Sequence, residues 1–289
     1  MSGLLAFAAA TEPGGQLDLY VARGDSSSPE PIAHGPMDEY SPTWSPNGSR
    51  IAYRVNRPGE FAPDIWVTNA DGSDKRNLTD TPNDTEWSPA WSPDGSRIAY
   101  FASTSDEFGG NLFTMRPDGT DVKLLTTDGG SGASNEYPTW SPDGSSLAYI
   151  HSTQEGNFEI WSILADGSCA ADLTRNQHAD EWPAWSPDGT AIAFMSDRDG
   201  RFGAGDIFVM GPDGSSPMNL THTRRVNESF PAWTPDGRIG FVRYRGKAVL
   251  GPNENSAAEI WVMDRDGTNQ VRLGFFGYEL GPMAWTHVP

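Results

Sequence analysis

Glu181-Trp182-Pro183-Ala184-Trp185-Ser186-Pro187-Asp188-Gly189 decides how the rest of the chain is read, because close copies of it recur along the whole sequence. The copies centre on Trp44, Trp91, Trp140, Trp185, Trp233 and Trp285, spaced 47, 49, 45, 48 and 52 residues apart. A period in the forties, with strand and turn chemistry inside each unit, is the signature of propeller blades; helical solenoids would carry a 3.6-residue apolar rhythm between the marks. No such rhythm is present. The expected fold is all-β: a six-bladed β-propeller of four-stranded antiparallel blades occupying residues 1–289 as one domain.

One unit shows the construction. Pro89-Ala90-Trp91 reads as a first strand, and Pro93-Asp94-Gly95-Ser96 as a turn in which Pro sets φ and Gly accepts φ > 0. Arg97–Phe101 returns as a second strand, Asn111–Met115 as a third, and, after the turn Pro117-Asp118-Gly119, Val122–Thr126 as a fourth. The sixth unit is split. Trp285 lies four residues from the end, while Leu4–Phe7, Asp18–Val21 and Pro31–Ala33 match second, third and fourth strands. The two ends are therefore expected to complete one blade, which removes the open sheet edges that invite aggregation.

The unit Trp-Ser-Pro-Asp-Gly-Ser-Arg-Ile-Ala-Tyr (91–100), with Asp-Ile-Trp-Val (64–67), Ala-Asp-Gly-Ser (70–73) and Asn-Leu-Thr (77–79), resembles the TolB-type, WD-like propeller repeat. The resemblance covers essentially the whole chain. It implies an extracytoplasmic bacterial protein, periplasmic or secreted, that binds proteins or peptides at its propeller face.

Composition narrows the partners. The formal net charge of -19 opposes nucleic acid and anionic membrane surfaces, which are held by Lys and Arg, and favours cations or basic partners. Cys169 is the only cysteine, so neither a disulfide framework nor a thiolate metal site is available. The start Met1–Ala10 has a short apolar run but no basic region, and reads as a strand rather than a signal peptide. No stretch approaches the ~20 apolar residues of a membrane-spanning helix, so membrane insertion is not expected. A monomer is the expected state.

Just upstream of each Pro-x-Trp stands a glutamate: Glu39, Glu86, Glu136, Glu181, Glu228 and Glu279, although only 14 of the 39 acidic residues are Glu. Their distance to the Trp varies between four and six residues. The strand order places this position on the innermost strand, so the six should gather around one mouth of the central channel. Carboxylates that face one another raise each other's pKa, and a hard cation relieves the conflict. Ca²⁺ suits a wide ring better than Mg²⁺, which demands a tight octahedron. The alternative is structural: each Glu accepts backbone N–H bonds from a neighbouring blade, with no metal.

The remaining candidates are read as follows. Asp18, Asp64, Glu159, Asp206, Glu259 and Asn111 begin the third strands and are expected to cap loops or pair with Arg. Asp94, Asp143, Asp188, Asp166 and Asp213 are turn formers on the opposite face. His34, His151, His178 and His222 share the glutamate face, as does Arg245 at the start of the long loop 245–258, which is expected to lean over the mouth. These residues are candidate partner contacts. The chain has no Gly-x-Ser-x-Gly elbow, His-Glu-x-x-His pair or phosphate-cradling loop. The expected function is a non-enzymatic binding module with calcium at its glutamate mouth. The alternatives are a metal-dependent lyase or hydrolase using the loop histidines, and a metal-free interaction scaffold.

Overall fold

The computed structural model describes residues 3–12, 14–23, 29–56, 62–104, 109–130, 132–153, 155–199, 204–223, 226–245, 257–277 and 279–286; the side chains of residues 245, 257, 275–277 and 279 lie outside that description. The chain opens with β1 (Leu4–Ala10), β2 (Asp18–Arg23) and β3 (Glu30–Ala33). Blade 1 follows as β4 (Asp38–Trp44), β5 (Arg50–Asn56), β6 (Asp64–Asn69) and β7 (Arg76–Asn77). Blade 2 is β8 (Thr85–Trp91), β9 (Ile98–Ser103), β10 (Asn111–Met115) and β11 (Lys123–Leu124). Blade 3 is β12 (Ser134–Trp140), β13 (Ser146–Ser152), β14 (Phe158–Leu164) and β15 (Ala171–Asp172). Blade 4 is β16 (Asp180–Trp185), β17 (Ile192–Ser196), β18 (Asp206–Met210) and β19 (Met218–Asn219). Blade 5 is β20 (Asn227–Trp233), β21 (Ile239–Arg245), β22 (Ala257–Met263) and β23 (Val271–Gly277). The last strand, β24 (Glu279–Trp285), pairs with β1, so blade 6 runs β24-β1-β2-β3. The expected meander and the closure by both ends are both present. Fourth strands are shorter than the sequence pattern suggested: β11 keeps only Lys123 and Leu124 of Val122–Thr126.

Repeated residues explain the repeated shape. In the turn after Trp91, Asp94 Oδ1 accepts from Ser92 Oγ at 2.6 Å and from Ser96 N at 3.0 Å, and Gly95 sits at φ 71°. One carboxylate thus ties off both sides of the turn, which is why Ser-Pro-Asp-Gly-Ser recurs. The turns after third strands press on the preceding blade. A Cβ on Gly72 would stand 2.2 Å from the Ile32 carbonyl oxygen, so only glycine fits there.

Apolar side chains are buried between neighbouring blades rather than within one. Trp44, Ile51 and Tyr53 of blade 1 pack with Ala6, Leu19 and Ile32 of blade 6, and Leu5 and Phe7 of blade 6 pack with Val242, Ile260 and Val262 of blade 5. The repeated Trp also ties blades by hydrogen bonds: Trp140 Nε1 donates to the Ala90 carbonyl at 3.1 Å, and Trp233 Nε1 to that of Ala184 at 3.0 Å. First strands adjoin one another around the axis. Among the described residues no helix is long and apolar enough to cross a membrane.

Candidate functional site

Each first strand carries a β-bulge at its Pro, and the bulge sets which side chains reach the channel. The ladder slips between Tyr40 and Thr43, Trp87 and Ala90, Glu136 and Thr139, Glu181 and Ala184, and Ser229 and Ala232. In these five blades the residue directly before Pro, namely Ser41, Ser88, Tyr137, Trp182 or Phe230, is left-handed with φ between 49° and 53°. Two residues then oppose one, and the strand bends around the axis.

Counted back from that Pro, the six glutamates do not share one position. Glu39, Glu86, Glu228 and Glu279 stand three residues upstream and pair across the sheet with Val55, Ala102, Arg243 and Ala10. Asn135 and Asp180 fill that position in blades 3 and 4. Glu136 and Glu181 stand two residues upstream, opposite Ile150 and Met195. An offset of one residue turns a strand side chain to the other face. The expected single ring is therefore divided into two sets.

The first set lies at the blade junctions. Among the described side chains, Glu39 and Glu86 meet Asp18 and Asp64, the acids that begin the third strand of the preceding blade, Asp180 meets Glu159, and Glu228 meets Asp206. Thr81 bridges one such pair, its N–H donating to Asp64 Oδ1 at 3.1 Å and its hydroxyl to Glu86 Oε1 at 2.7 Å. At the next junction both partners are amides, with Asn135 Nδ2 directed to Asn111 Oδ1 at 3.4 Å. Asp180 takes two bonds of 2.9 Å from Arg198, and Glu228 takes one of 2.7 Å from Arg243 Nε. Where no arginine is paired, burial dominates: it pushes the carboxyls of Glu39 and Glu86 up to about 7, with Asp18 and Asp64 adding repulsion. Oε2 of Glu39, Glu86 and Glu228 is buried without a hydrogen-bond partner.

The second set lies beside the channel rings, the charges of both its members acting on Tyr137. Glu136 and Glu181 are half-buried; burial and the Glu136 charge push Glu181 up to about 7. Arg54 reaches the same region, its guanidinium carbon 5.1 Å from the ring centres of both Tyr40 and Trp87, and it attenuates the rise of Glu136. A cavity of ≈ 240 Å³ lies on the axis, lined by Pro42, Pro89, Pro138, Pro183, Pro231 and Pro282 together with Ser41, Ser88, Tyr137, Trp182 and Phe230. The lining is lopsided. Blades 1 and 2 offer serines, whereas blades 3, 4 and 5 offer rings, with Trp182 and Phe230 centred 4.4 Å apart and Tyr137 and Trp182 6.4 Å apart.

The other candidates separate. Asp64, Asp206 and Asn111 cap the loops toward the next blade, as at Thr223 N to Asp206 Oδ1, 2.8 Å, and Gly129 N to Asn111 Oδ1, 2.9 Å; Glu259 pairs with Arg272 at 3.0 Å. The four histidines do not converge. His34 and His222 are exposed, His151 Nδ1 contacts Asn135 Oδ1 at 2.9 Å against the Trp161 ring, and His178 lies 3.4 Å from Asp197. The Arg245 side chain, the Glu279 side chain and the loop 246–256 are outside the described residues. Among the described residues no group of three or more His, Cys, Asp or Glu is placed to hold a metal ion. Arg54, Asp180, Asn135 and the three channel rings were not singled out from sequence; aligning the repeats on Pro rather than on Glu would have found them.

Comparison with known proteins agrees with this architecture. The TolB beta propeller domain model matches residues 4–149 and 130–249. Among solved structures, TolB from Acinetobacter baumannii superposes with a TM-score of 0.77 at 21% identity, over 99% of this chain and 67% of that one. A putative TolB from Agrobacterium tumefaciens gives 0.70 at 23% identity, over 96% and 90% of the two chains. The hydrazine synthase of Kuenenia stuttgartiensis gives 0.78 at 14% identity, over 99% and 46%. Likenesses this distant show the fold alone, and they include an enzyme. Among curated proteins no sequence matches. The family-model match spans most of the chain, and the chain belongs to the TolB β-propeller family.

Proposed function

We propose that the chain is a non-enzymatic binding module that receives a protein or peptide at the channel mouth where the first strands begin. The observation that carries this reading is the contrast between the two ends of those strands. At the turn end the repeated carboxylates are spent on their own loops, as with Asp94, Asp143 and Asp188. At the mouth, the rings of Tyr137, Trp182 and Phe230 line an axial cavity; beside them stand half-buried Glu136, which accepts from Ser134 Oγ at 2.6 Å, and half-buried Glu181, which has no such local bond among the described residues. A concave site with a few convergent polar groups among aromatic walls is what a ligand pocket requires. By kinship with the family, the compartment we propose is extracytoplasmic. A display selection of random peptides on the folded protein tests the reading: enriched peptides should lose binding to a Trp182→Leu variant, and failure to enrich any peptide that depends on the mouth would end it.

Calcium is the finer part of the proposal. Its support is the set of buried, unpartnered Oε2 atoms on Glu39, Glu86 and Glu228, together with the charge of -19. Because no three acids converge among the described residues, an ion would sit on a junction pair such as Asp64 and Glu86, completed by main-chain or water oxygens. Calcium at a hundred times Kd would stabilise the fold by about 2.7 kcal/mol, a shift of several degrees in Tm. Chelated protein titrated with Ca²⁺ and then Mg²⁺ should melt higher, and more so with Ca²⁺. An unmoved melting curve would remove calcium from the proposal and leave the binding module in place.

A further inference from the structure

The molecule contains a worked example of how its own channel holds a cation. Arg54 lies in a slot between two aromatic rings from adjacent first strands, Tyr40 and Trp87, each centred 5.1 Å from the guanidinium carbon. Trp87 is backed in turn by Phe101, stacked at 4.4 Å and 10°. Burial lowers the pKa of this guanidinium, and the charges of Asp38 and Glu136 oppose that fall. Arg54 Nε donates to Asn56 Oδ1 at 2.8 Å, so this planar cation combines cation–π attraction at two rings with one hydrogen bond and the longer-range attraction of the carboxylates.

The opposite side of the channel is built from the same parts. Tyr137, Trp182 and Phe230 stand on three successive first strands, with Trp182 edge-on to Tyr137 at 90° and tilted 48° to Phe230. Beside them are Glu136 and Glu181. The charges that act on Glu181 are all acidic: Glu136, Asp197 and Asp180. The nearby cation Arg198 is committed elsewhere, bonded twice to Asp180 and lying over Phe194 and Phe208. Among the described residues no Lys or Arg of the chain lies over the rings of Tyr137, Trp182 or Phe230. The blade 3–5 side thus has one ring more than the two of the Arg54 slot, Glu181 in addition to the Glu136 that both sides share, and, among the described residues, no cation over its rings.

We propose that the aromatic side of the channel, formed by Tyr137, Trp182 and Phe230 with Glu136 and Glu181, binds one arginine or lysine side chain of a peptide partner. This deepens the binding-module reading and rests on it. The acid of the mouth recruits a basic partner, the rings accept the guanidinium or ammonium face, and Glu181 pairs with it once water is excluded. Arg54 already occupies the Tyr40–Trp87 slot and acts on Glu136, which leaves Glu181 as the carboxylate open to the incoming cation.

The test uses three blocked peptides, acetyl-Gly-Arg-Gly-amide and its citrulline and glutamate counterparts, titrated calorimetrically into the intact protein. Citrulline keeps the shape of arginine and removes the charge, so arginine should bind at least about tenfold tighter, the worth of a desolvated cation contact. Glu181→Gln should abolish that preference and Phe230→Leu should weaken it, while Asp166→Asn, on the opposite face, should leave it unchanged. Equal binding of arginine and citrulline, or equal losses in Glu181→Gln and Asp166→Asn, would overturn the assignment by showing shape or diffuse attraction alone. The wild-type protein provides a readout that needs no variant. Glu181, with Glu136, Asp197, Asp180 and Tyr137 around it and Arg54 acting on Glu136 and Tyr137, must be ionised to pair, so arginine affinity should fall up to about tenfold between pH 8 and pH 6. A flat profile would count against the site. In the display selection, enrichment of peptides without Arg or Lys would overturn the cationic assignment and spare the binding module, whereas no enrichment at all would end both.

Discussion

At a single junction, the fate of a buried carboxyl depends on whether an arginine reaches it. Glu86 has a hydroxyl and no cation; Glu228, fully buried, has Arg243. For Glu86 the folded pKa is raised to about 7 from an ordinary 4.5, so the folded state holds a proton that the unfolded chain releases. The sign follows: stability is greatest below the unfolded value, declines as pH rises through the interval 4.5 to 7, and stays reduced above it. Glu39 and Glu181 act in the same direction. Glu86→Gln should therefore raise Tm at pH 8 by an amount of order 1–3 kcal/mol, a few degrees, and change it little at pH 5. Glu228→Gln should do the reverse, losing about 3–5 kcal/mol at pH 8, where Arg243 would keep Gln270 but lose its buried carboxylate, and less at pH 5, because burial raises the Glu228 pKa as well. Thermal melts of both variants at the two pH values decide the matter, and equal destabilisation by Glu86→Gln at pH 5 and pH 8 would refute the protonated junction. The Asn111–Asn135 junction is the neutral form of the same contact, already present in blade 3. None of this was legible from residue types alone. The sequence shows a Glu before each Pro-x-Trp, but whether it stands two or three residues before Pro decides which face it joins, and counting from Trp conceals that difference.

Blades were the most legible part of the molecule, because Pro-Asp-Gly turns and alternating strands are local chemistry that each repeat states again. The bulge in each first strand was not legible. A left-handed residue before Pro is sterically unusual, and Ser, Tyr, Trp and Phe give no notice of it. Packing across the blade junction holds it in place, and that packing is visible only once neighbours are assembled. The bulge makes a prediction of its own. Ser88 has φ 52°, and its buried hydroxyl has no hydrogen-bond partner, so its side chain contributes strain without a compensating bond. Glycine removes the left-handed penalty of about 1 kcal/mol, at some entropic cost in the unfolded chain. Ser88→Gly should leave Tm unchanged or raise it by up to a few degrees, and Ser88→Val should lower it. A marked loss of stability in Ser88→Gly would show that the hydroxyl has a partner in solution, water being the first candidate.

Closure belongs to the whole ring. Blade 6 is assembled from β24 at one end of the chain and β1–β3 at the other, with Thr286 N donating to the Leu4 carbonyl at 2.9 Å to finish the ladder. Met283 and Trp285 are buried in the same apolar cluster as Val242 and Ile260 of blade 5 and Leu5 and Phe7 of blade 6. β24 therefore contributes at three levels: it is the inner edge of its own sheet, a wall of one blade junction, and the sixth side of the channel through Pro282. Removing residues 282–289 would strip β1 of its partners Met283, Ala284 and Trp285, leaving only Glu279 and Leu280 beside it, and would open that junction. It would also leave the first strands of blades 5 and 1 without the neighbour between them. The two exposed sheet edges offer unpaired N–H and C=O groups, and the uncovered apolar surface favours association. Losing these side chains from a packed junction costs several kcal/mol, comparable to the ~5–15 kcal/mol that separates folded from unfolded domains. The truncated chain should lose its cooperative melt, or melt far lower and aggregate, in calorimetry and size-exclusion runs beside the full chain. Adding a synthetic peptide of residues 279–289 should restore part of the transition, because β24 pairs by backbone and by pockets that the rest of the ring already presents. If the truncated protein melts at the same temperature as the full chain, the ring does not depend on its terminal strand, and the stability of the channel must reside within the individual blades.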